Sequence, residues 1–211
     1  ISQITEMQNL SKEAFINHLE PILIKLRSVR NQRTRPKADT KIITDWNALA
    51  IIAFVQAGRL LDNKEYLQTA RSASNFILEN LNTEDGHLMR NWSQGQASQP
   101  GTLADYTGTI LALHQLYEID FSPKLYEVMQ TISQTMQKTF ESESVFYNDT
   151  AQDVPHLILQ PSNLQDSVTP SGNAMACHSH WLLYQFENTP KHKQHFIDML
   201  LNLGEMITEH P

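Results

Sequence analysis

The stretch "TDWNALAIIAFVQAGRLLDNKEYLQTARSASNFILENL", residues 44–81, decides the fold. Its first half, through Ala48, Leu49, Ile51, Ile52, Phe54 and Val55, leaves almost no polar face, so a helix there is buried on most sides. After the polar turn at Asp62-Asn63, the second half sets Lys64, Glu65, Arg71 and Glu79 against an apolar stripe of Leu67, Ala70, Phe76 and Ile77. That is the pattern of a surface helix packed on one side. The same plan recurs in "ADYTGTILALHQLYEIDFSPKLYEVMQTISQTMQKTF" (104–140), with its turn at Ser122-Pro123. It recurs again in "PSGNAMACHSHWLLYQFENTPKHKQHFIDMLLNLGEMI" (170–207), with its turn at Thr189-Pro190. Asp45 and Asp105 stand 60 positions apart, as do Tyr66 and Tyr126. Three helical hairpins, each a buried helix followed by an exposed one, predict two concentric layers: an all-α fold of the α/α toroid type. An open solenoid alternates helices too, but in shorter repeats of about 34 to 47 residues.

The links between hairpins are long, and long links in compact domains are usually functional. "TEDGHLMRNWSQGQASQPGTL" (83–103) alternates around Asp85-Gly86 and predicts a short β-hairpin turning there. "SVFYNDTAQDVPHLILQP" (144–161) is a candidate for a second pair of strands. Ahead of the repeats, Ser11 caps a predicted helix running to about Arg30, and "RNQRTRPKADTK" (30–41) is an extended basic link. The expected plan is one domain over 1–211, with a leading helix and linker over 1–44 and three hairpin repeats over 45–211.

Composition narrows the function. The chain has 211 residues, 40% hydrophobic and 18% charged, and a formal net charge of −7 with no basic block. Nucleic acid and anionic membrane surfaces are not expected partners. No apolar run is long enough to span a bilayer, and "ISQITEMQNL" (1–10) lacks the basic head and apolar core of a secretory signal. Cys177 is the only cysteine, which excludes a disulfide framework or a thiolate zinc site within the chain and makes the reducing cytoplasm the default compartment. No metal and no cofactor is expected.

"RTRPKADTKIITDWNALAI", "ADYTGTI" and "DSVTPSGNAMA" resemble, in order and spacing over roughly 25–186, three signatures of the spermatogenesis-associated protein 20 type family. These are thioredoxin-domain-containing proteins whose C-terminal region is a six-hairpin, glycosidase-like α/α barrel. The matching positions are Arg35, Pro36, Asp39, Lys41, Trp46, Asn47, Asp105, Tyr106, Asp166, Pro170, Ser171, Gly172 and Asn173. Thr40, Ala48, Ala104 and Thr107 depart from the family pattern; where Ala104 stands the family has the first of two adjacent aspartates, which puts a paired-carboxylate role there in doubt. The resemblance implies that the chain is the middle of a barrel whose open edge is covered by the rest of a longer chain or by a homodimer partner.

In a toroid the starts of the buried helices gather at one mouth, where free N–H groups meet ligands. Asp45, Asp105 and Asp166 are the candidate catalytic carboxylates, since glycoside hydrolysis needs two facing acids in different protonation states. Lys41, Trp46, Asn47, Tyr106, Ser171 and Asn173 are candidate contacts to a small sugar, by hydrogen bonding or aromatic packing. In particular, Trp46, Asp105, Tyr106 and Asn173 are expected to line one shared cavity. The structural alternatives stand beside these: Asp45, Asp105 and Ser171 as helix caps, Trp46 as a core anchor, Asn173 as a helix-end hydrogen-bonding group, Gly172 as a point of close backbone approach, and Lys41 as a partner of Asp39.

His114, His178 and His180 are further acid–base candidates, because some sugar epimerases of this architecture use inward-facing histidines. His178 and His180 lie on opposite faces of a helix and do not chelate one metal. His192 and His195, flanked by Lys191 and Lys193, read as part of a solvated face, and Cys177 as a small core residue. Two functions remain open, and with them whether the chain is an enzyme. One is a carbohydrate-active or sugar-binding domain, a glycoside hydrolase or sugar epimerase. The other is a non-catalytic helical binding or scaffold module of a thioredoxin-domain-containing protein.

Overall fold

The computed structural model describes residues 11–152 and 159–209, with side chains through residue 204. The first ten residues, read above as lacking a signal, lie outside it. The chain divides into two compact units, one ending at Thr40 and the other beginning at Lys41. The first contains α1 (Lys12–Asn31), N-capped by Ser11, whose Oγ accepts from Ala14 N at 3.1 Å. None of its residues is buried.

The second unit holds β1 (Ile42–Ile43), α2 (Thr44–Leu60), α3 (Lys64–Asn80), β2 (Met89–Ser93), β3 (Gln96–Pro100), α4 (Leu103–Asp120), α5 (Pro123–Thr139), α6 (Gly172–Glu187) and α7 (Pro190–Glu209). These are the three expected hairpins, α2–α3, α4–α5 and α6–α7. Helix α4 packs against both α2 and α6, so the first helices of the hairpins form the inner row and α3, α5 and α7 the outer one. The arrangement is a sector of an α/α toroid.

The packing follows the composition of each helix. Helix α4 lies between two neighbours and is buried all round, every residue from Asp105 through His114 being buried. The outer helices bury a single stripe, such as Met129, Ile132, Ser133 and Met136 on α5. Small residues set the inner spacing: a Cβ on Gly108 would meet the Ala48 Cβ at 3.2 Å, and one on Gly172 would meet Leu103 at 3.0 Å. The three hairpins also turn alike. Asp62, Phe121 and Asn188 each take the left-handed conformation, with φ of 49°, 48° and 49°, and so end an inner helix just before the next begins.

The β-hairpin is present, but its turn is at Gln94-Gly95 rather than Asp85-Gly86. Asp85-Gly86 makes a separate turn closed by an isolated bridge between Asn82 and Leu88. Strand β1 adds to the other side of β2, giving an antiparallel sheet of order β1-β2-β3. The expected second strand pair is not formed by the described part of 144–161; residues 153–158 of that stretch lie outside the described residues. No helix among the described residues is long and apolar enough to cross a membrane.

Candidate functional site at the inner-helix mouth

Helix α2 starts two residues earlier than Asp45 as a cap would require, at Thr44 rather than at Trp46. Ile43 is the N-cap, and Thr44 is tied to the sheet through Oγ1 donating to Met89 O at 2.6 Å. Asp45 therefore lies within the first turn, where its Oδ1 accepts from Trp46 N at 2.8 Å. Its own N–H donates to Asp105 Oδ1 at 2.9 Å, so a carboxylate on α4 serves the free N-terminus of α2.

Asp105 is likewise not the cap of its helix. Thr102 is, and its N–H and Oγ1 both donate to Asp105 Oδ2, at 2.7 and 2.9 Å. Arg90, on β2, completes the group. Its Nη1 lies 2.9 and 3.0 Å from the two Asp105 oxygens, 3.2 Å from Thr102 Oγ1 and 3.3 Å from Asp45 Oδ2. Burial of Asp105 is complete and pushes its carboxyl above the usual range, opposed by the Thr102 N–H and by Arg90. Burial works against charge on Arg90, but the two aspartates hold it protonated.

Beside this cluster lies a hollow of about 280 Å³, lined by Asp45, Arg90, Thr102, Asp149, Asn163, Gln165, Ser167, Ser171 and Gly172 among others. Asp149 comes from the long link before α6. Its backbone oxygen accepts from Leu103 N at 3.0 Å, capping α4, and its Oδ2 accepts from Asn163 N at 3.2 Å. Burial raises its carboxyl above the ordinary range, against the pull of the Asn163 N–H.

The expected shared cavity of Trp46, Asp105, Tyr106 and Asn173 is not what forms. Tyr106 is buried between helix and sheet, its hydroxyl accepting from Leu88 N at 3.0 Å and its ring edge-on to Phe140. Asn173 is buried too; it accepts from Tyr147 N at 2.8 Å and donates to Tyr147 O at 2.9 Å and Asn163 O at 3.3 Å, pinning the link before α6. Trp46 is 61% exposed, so it is no core anchor either. Asn47 donates to Ile43 O at 2.8 Å, and Lys41 is exposed just ahead of β1. Ser171 caps α6 through Ala174 N and donates its own N–H to the exposed Asp166, whose carboxylate closes the turn into the helix. Of the residues read from sequence as candidates, the hollow brings together Asp45 and Ser171, with Asp105 directly behind. Arg90, Asp149 and Asn163 were not foreseen. Arg90 carried one weak signal, a lone cation on an alternating strand next to the motifs.

The histidines also differ from expectation. His192 is buried and His195 half-buried, not solvated: both face His180 across the α6–α7 hairpin, because residues 192, 195, 196 and 199 form the inward stripe of α7. His114 is buried against Phe186, and His178 is exposed. Among the described residues, no group of three or more His, Cys, Asp or Glu could hold a metal ion.

The paired rows of helices, with a polar hollow where the inner row begins, give the chain the fold of a three-hairpin sector of an α/α toroid. The same fold occurs in a family 76 α-mannanase of Bacteroides thetaiotaomicron, with a TM-score of 0.58 and 17% identity over 80% of this chain and 45% of that one. It occurs also in cellobiose 2-epimerase of Spirochaeta thermophila, with a TM-score of 0.62 and 14% identity over 79% of this chain and 44% of that one. In sequence the chain is similar to human spermatogenesis-associated protein 20, 26% identical over 188 residues that cover 84% of this chain and 24% of the relative. The chain thus spans about a quarter of the length of the curated relatives it matches. No protein-family model matches it.

Proposed function

We propose that the hollow at the inner-helix mouth is a carbohydrate site. The observation that carries this reading is its lining: two carboxyl groups, a guanidinium and several amide and hydroxyl side chains around about 280 Å³, enough for a small sugar. Polyhydroxylated ligands need this dense, mixed set of donors and acceptors. The two carboxyls sit in unlike surroundings. Asp45 faces Arg90, whereas burial favours the protonated form of Asp149. A carboxyl whose protonated form is favoured, beside a second one set against a guanidinium, is the arrangement that glycoside hydrolysis uses. We therefore assign Asp149 as the proton donor and Asp45 as the opposing carboxylate. Asp105, walled off behind Arg90, fixes the pair in place, and Ser171 and Asn163 contact sugar hydroxyls. Trp46, exposed at the same helix end, is a platform for a sugar ring extending beyond the hollow.

The epimerase reading has less support, since no imidazole lines the hollow among the described residues. The second reading is a non-catalytic sugar-binding or scaffold module of a longer, thioredoxin-domain-containing protein. Engagement of every Asp105 oxygen and of Asp45 within the protein favours it. On either reading the exposed Phe54 on α2 and Trp181 on α6 mark edges for the rest of a longer chain, or a second copy, to cover.

Calorimetry against a panel of mono- and disaccharides that includes mannobiose and cellobiose tests the proposal, with product analysis for hydrolysis and epimerisation. Saturable binding with slow hydrolysis, the hydrolysis abolished in Asp149→Asn, supports the enzyme; binding without turnover supports the module. Absence of binding by every sugar at millimolar concentration rejects the site.

A further inference from the structure

A second polar cluster lies inside the α6–α7 hairpin. Tyr147 OH is 2.8 Å from His180 Nε2, His180 Nδ1 is 2.8 Å from His192 Nδ1, and His192 Nε2 is 3.4 Å from Glu187 Oε2. Tyr147 is 4% exposed, His180 1% and His192 7%. His195 stacks on both His180 and Tyr147.

Elementary donor counting gives this chain one direction. A carboxylate only accepts, so the His192 proton sits on Nε2, facing Glu187. Neutral His192 then offers a bare Nδ1, and His180 Nδ1 must donate to it. Neutral His180 in turn offers a bare Nε2, and the Tyr147 hydroxyl must donate to that. Along Tyr147, His180 and His192 each side-chain polar atom is satisfied with both rings neutral; the Nε2 of the stacked His195 is buried without a partner. An added proton breaks the order whichever ring receives it. On His180 it occupies Nε2 directly. On His192 it occupies Nδ1 and drives the His180 proton across to Nε2. Either way Tyr147 loses its acceptor, and its hydroxyl, on a residue only 4% exposed, gives up the bond that ties it to α6.

Tyr147 belongs to the segment that supplies Asp149. The consecutive amides of Tyr147, Asn148 and Asp149 donate to Asn173 Oδ1, Phe140 O and Pro161 O, at 2.8, 2.9 and 2.8 Å. We propose that the chain Tyr147–His180–His192–Glu187 is a latch that holds this segment in place, and that uptake of a proton by either ring releases it. The consequence for the mouth rests on the sugar reading above; the latch itself does not.

The surroundings agree. Burial, then the neighbouring His195, His192 and Lys191, push His180 down to about 2. Burial lowers His192 as well, with Glu187 pulling the other way and Lys191 adding to the fall. Burial lowers His195, opposed by Val145 and Asp198. Burial and Glu141 keep the Tyr147 phenol protonated. Because these imidazoles resist protonation in the closed state, opening takes up protons below the free-histidine pKa of about 6.5, so acid favours opening. For one proton taken up, the opening equilibrium rises about tenfold per pH unit below about pH 6.

Imidazole ¹⁵N spectra and amide hydrogen exchange on the whole chain, without any sugar, test the proposal. We expect His180 neutral with its proton on Nδ1 at pH 7, and the Tyr147, Asn148 and Asp149 amides opening with that tenfold slope after correction for intrinsic rates. In His180→Phe the slope is expected to flatten. A proton on His180 Nε2 at pH 7, a charged ring there, or an unchanged slope in His180→Phe overturns the latch. If His180→Phe does not fold, the wild-type tautomer decides alone. Sugar affinity is measured separately, so failure of the latch and failure of the carbohydrate site are distinguishable.

Discussion

Replacing Arg90 by Met removes the one cation between two carboxylates and leaves Asp105 charged and fully buried. Breaking a buried ion pair by deleting one partner costs about 3–5 kcal/mol. The lower end applies here. Asp105 keeps three donors, from Thr102 N, Thr102 Oγ1 and Asp45 N, and the Arg90 side chain is 30% exposed. The expected loss is about 3 kcal/mol, which for a unit of this size lowers the melting temperature by about 6–12 °C. Asp105→Asn alone costs about 2 kcal/mol, because an amide hydrogen then faces donors. The double variant is the decisive one. With the stranded charge gone, the two losses fall short of additivity by about 2 kcal/mol in a double-mutant cycle read by urea unfolding. Acid sharpens the test. A carboxyl raised in the folded state binds its proton there before it does in the unfolded chain, so the Arg90→Met loss shrinks as pH falls toward 4. Additivity within about 0.5 kcal/mol, or a loss independent of pH, would refute the reasoning that Arg90 neutralises Asp105.

Tyr106→Phe strands the buried Leu88 N–H and is expected to cost about 1–3 kcal/mol in the same unfolding assay without altering sugar affinity, since the hydroxyl faces the sheet. Trp46→Ala is expected to change stability by less than about 0.5 kcal/mol, because the ring is largely exposed, and to weaken binding of disaccharides more than of monosaccharides by calorimetry.

The architecture was legible because burial leaves its mark on whole helices. The near-absence of charge from 48–55 and 106–116 against the striped 64–79 and 124–138 fixes the inner and outer rows before any coordinates. The turns were half legible: Gly86 and Gly95 both have positive φ, 80° and 81°, and alternation alone does not say which one joins paired strands. His192 was misread because the adjacent lysines dominate a local reading. The spacing with Phe196 and Met199, an i, i+4, i+7 stripe, was the better guide. The mouth was least legible. Asp45 and Asp105 were found through motifs, but their partner Arg90 arrives from a strand and Asp149 from an irregular link, and neither position carries a periodic signal. Tyr106 and Asn173 sit in the right motifs yet turn inward, because each satisfies buried backbone groups, Leu88 N for one and the Tyr147 peptide for the other.

The carbohydrate reading of the mouth stands on where a bound sugar touches the protein. Titrating mannobiose, and separately cellobiose, into ¹⁵N-labelled protein and following amide shifts locates that contact. The expected result is saturable change, with at least one of the two sugars, concentrated at Asp45, Arg90, Asp149, Asn163 and Ser171. Unchanged spectra with both sugars at tens of millimolar, or changes confined to the separate groove between α3 and α5 around Arg71, Ser74 and Leu125, would contradict it.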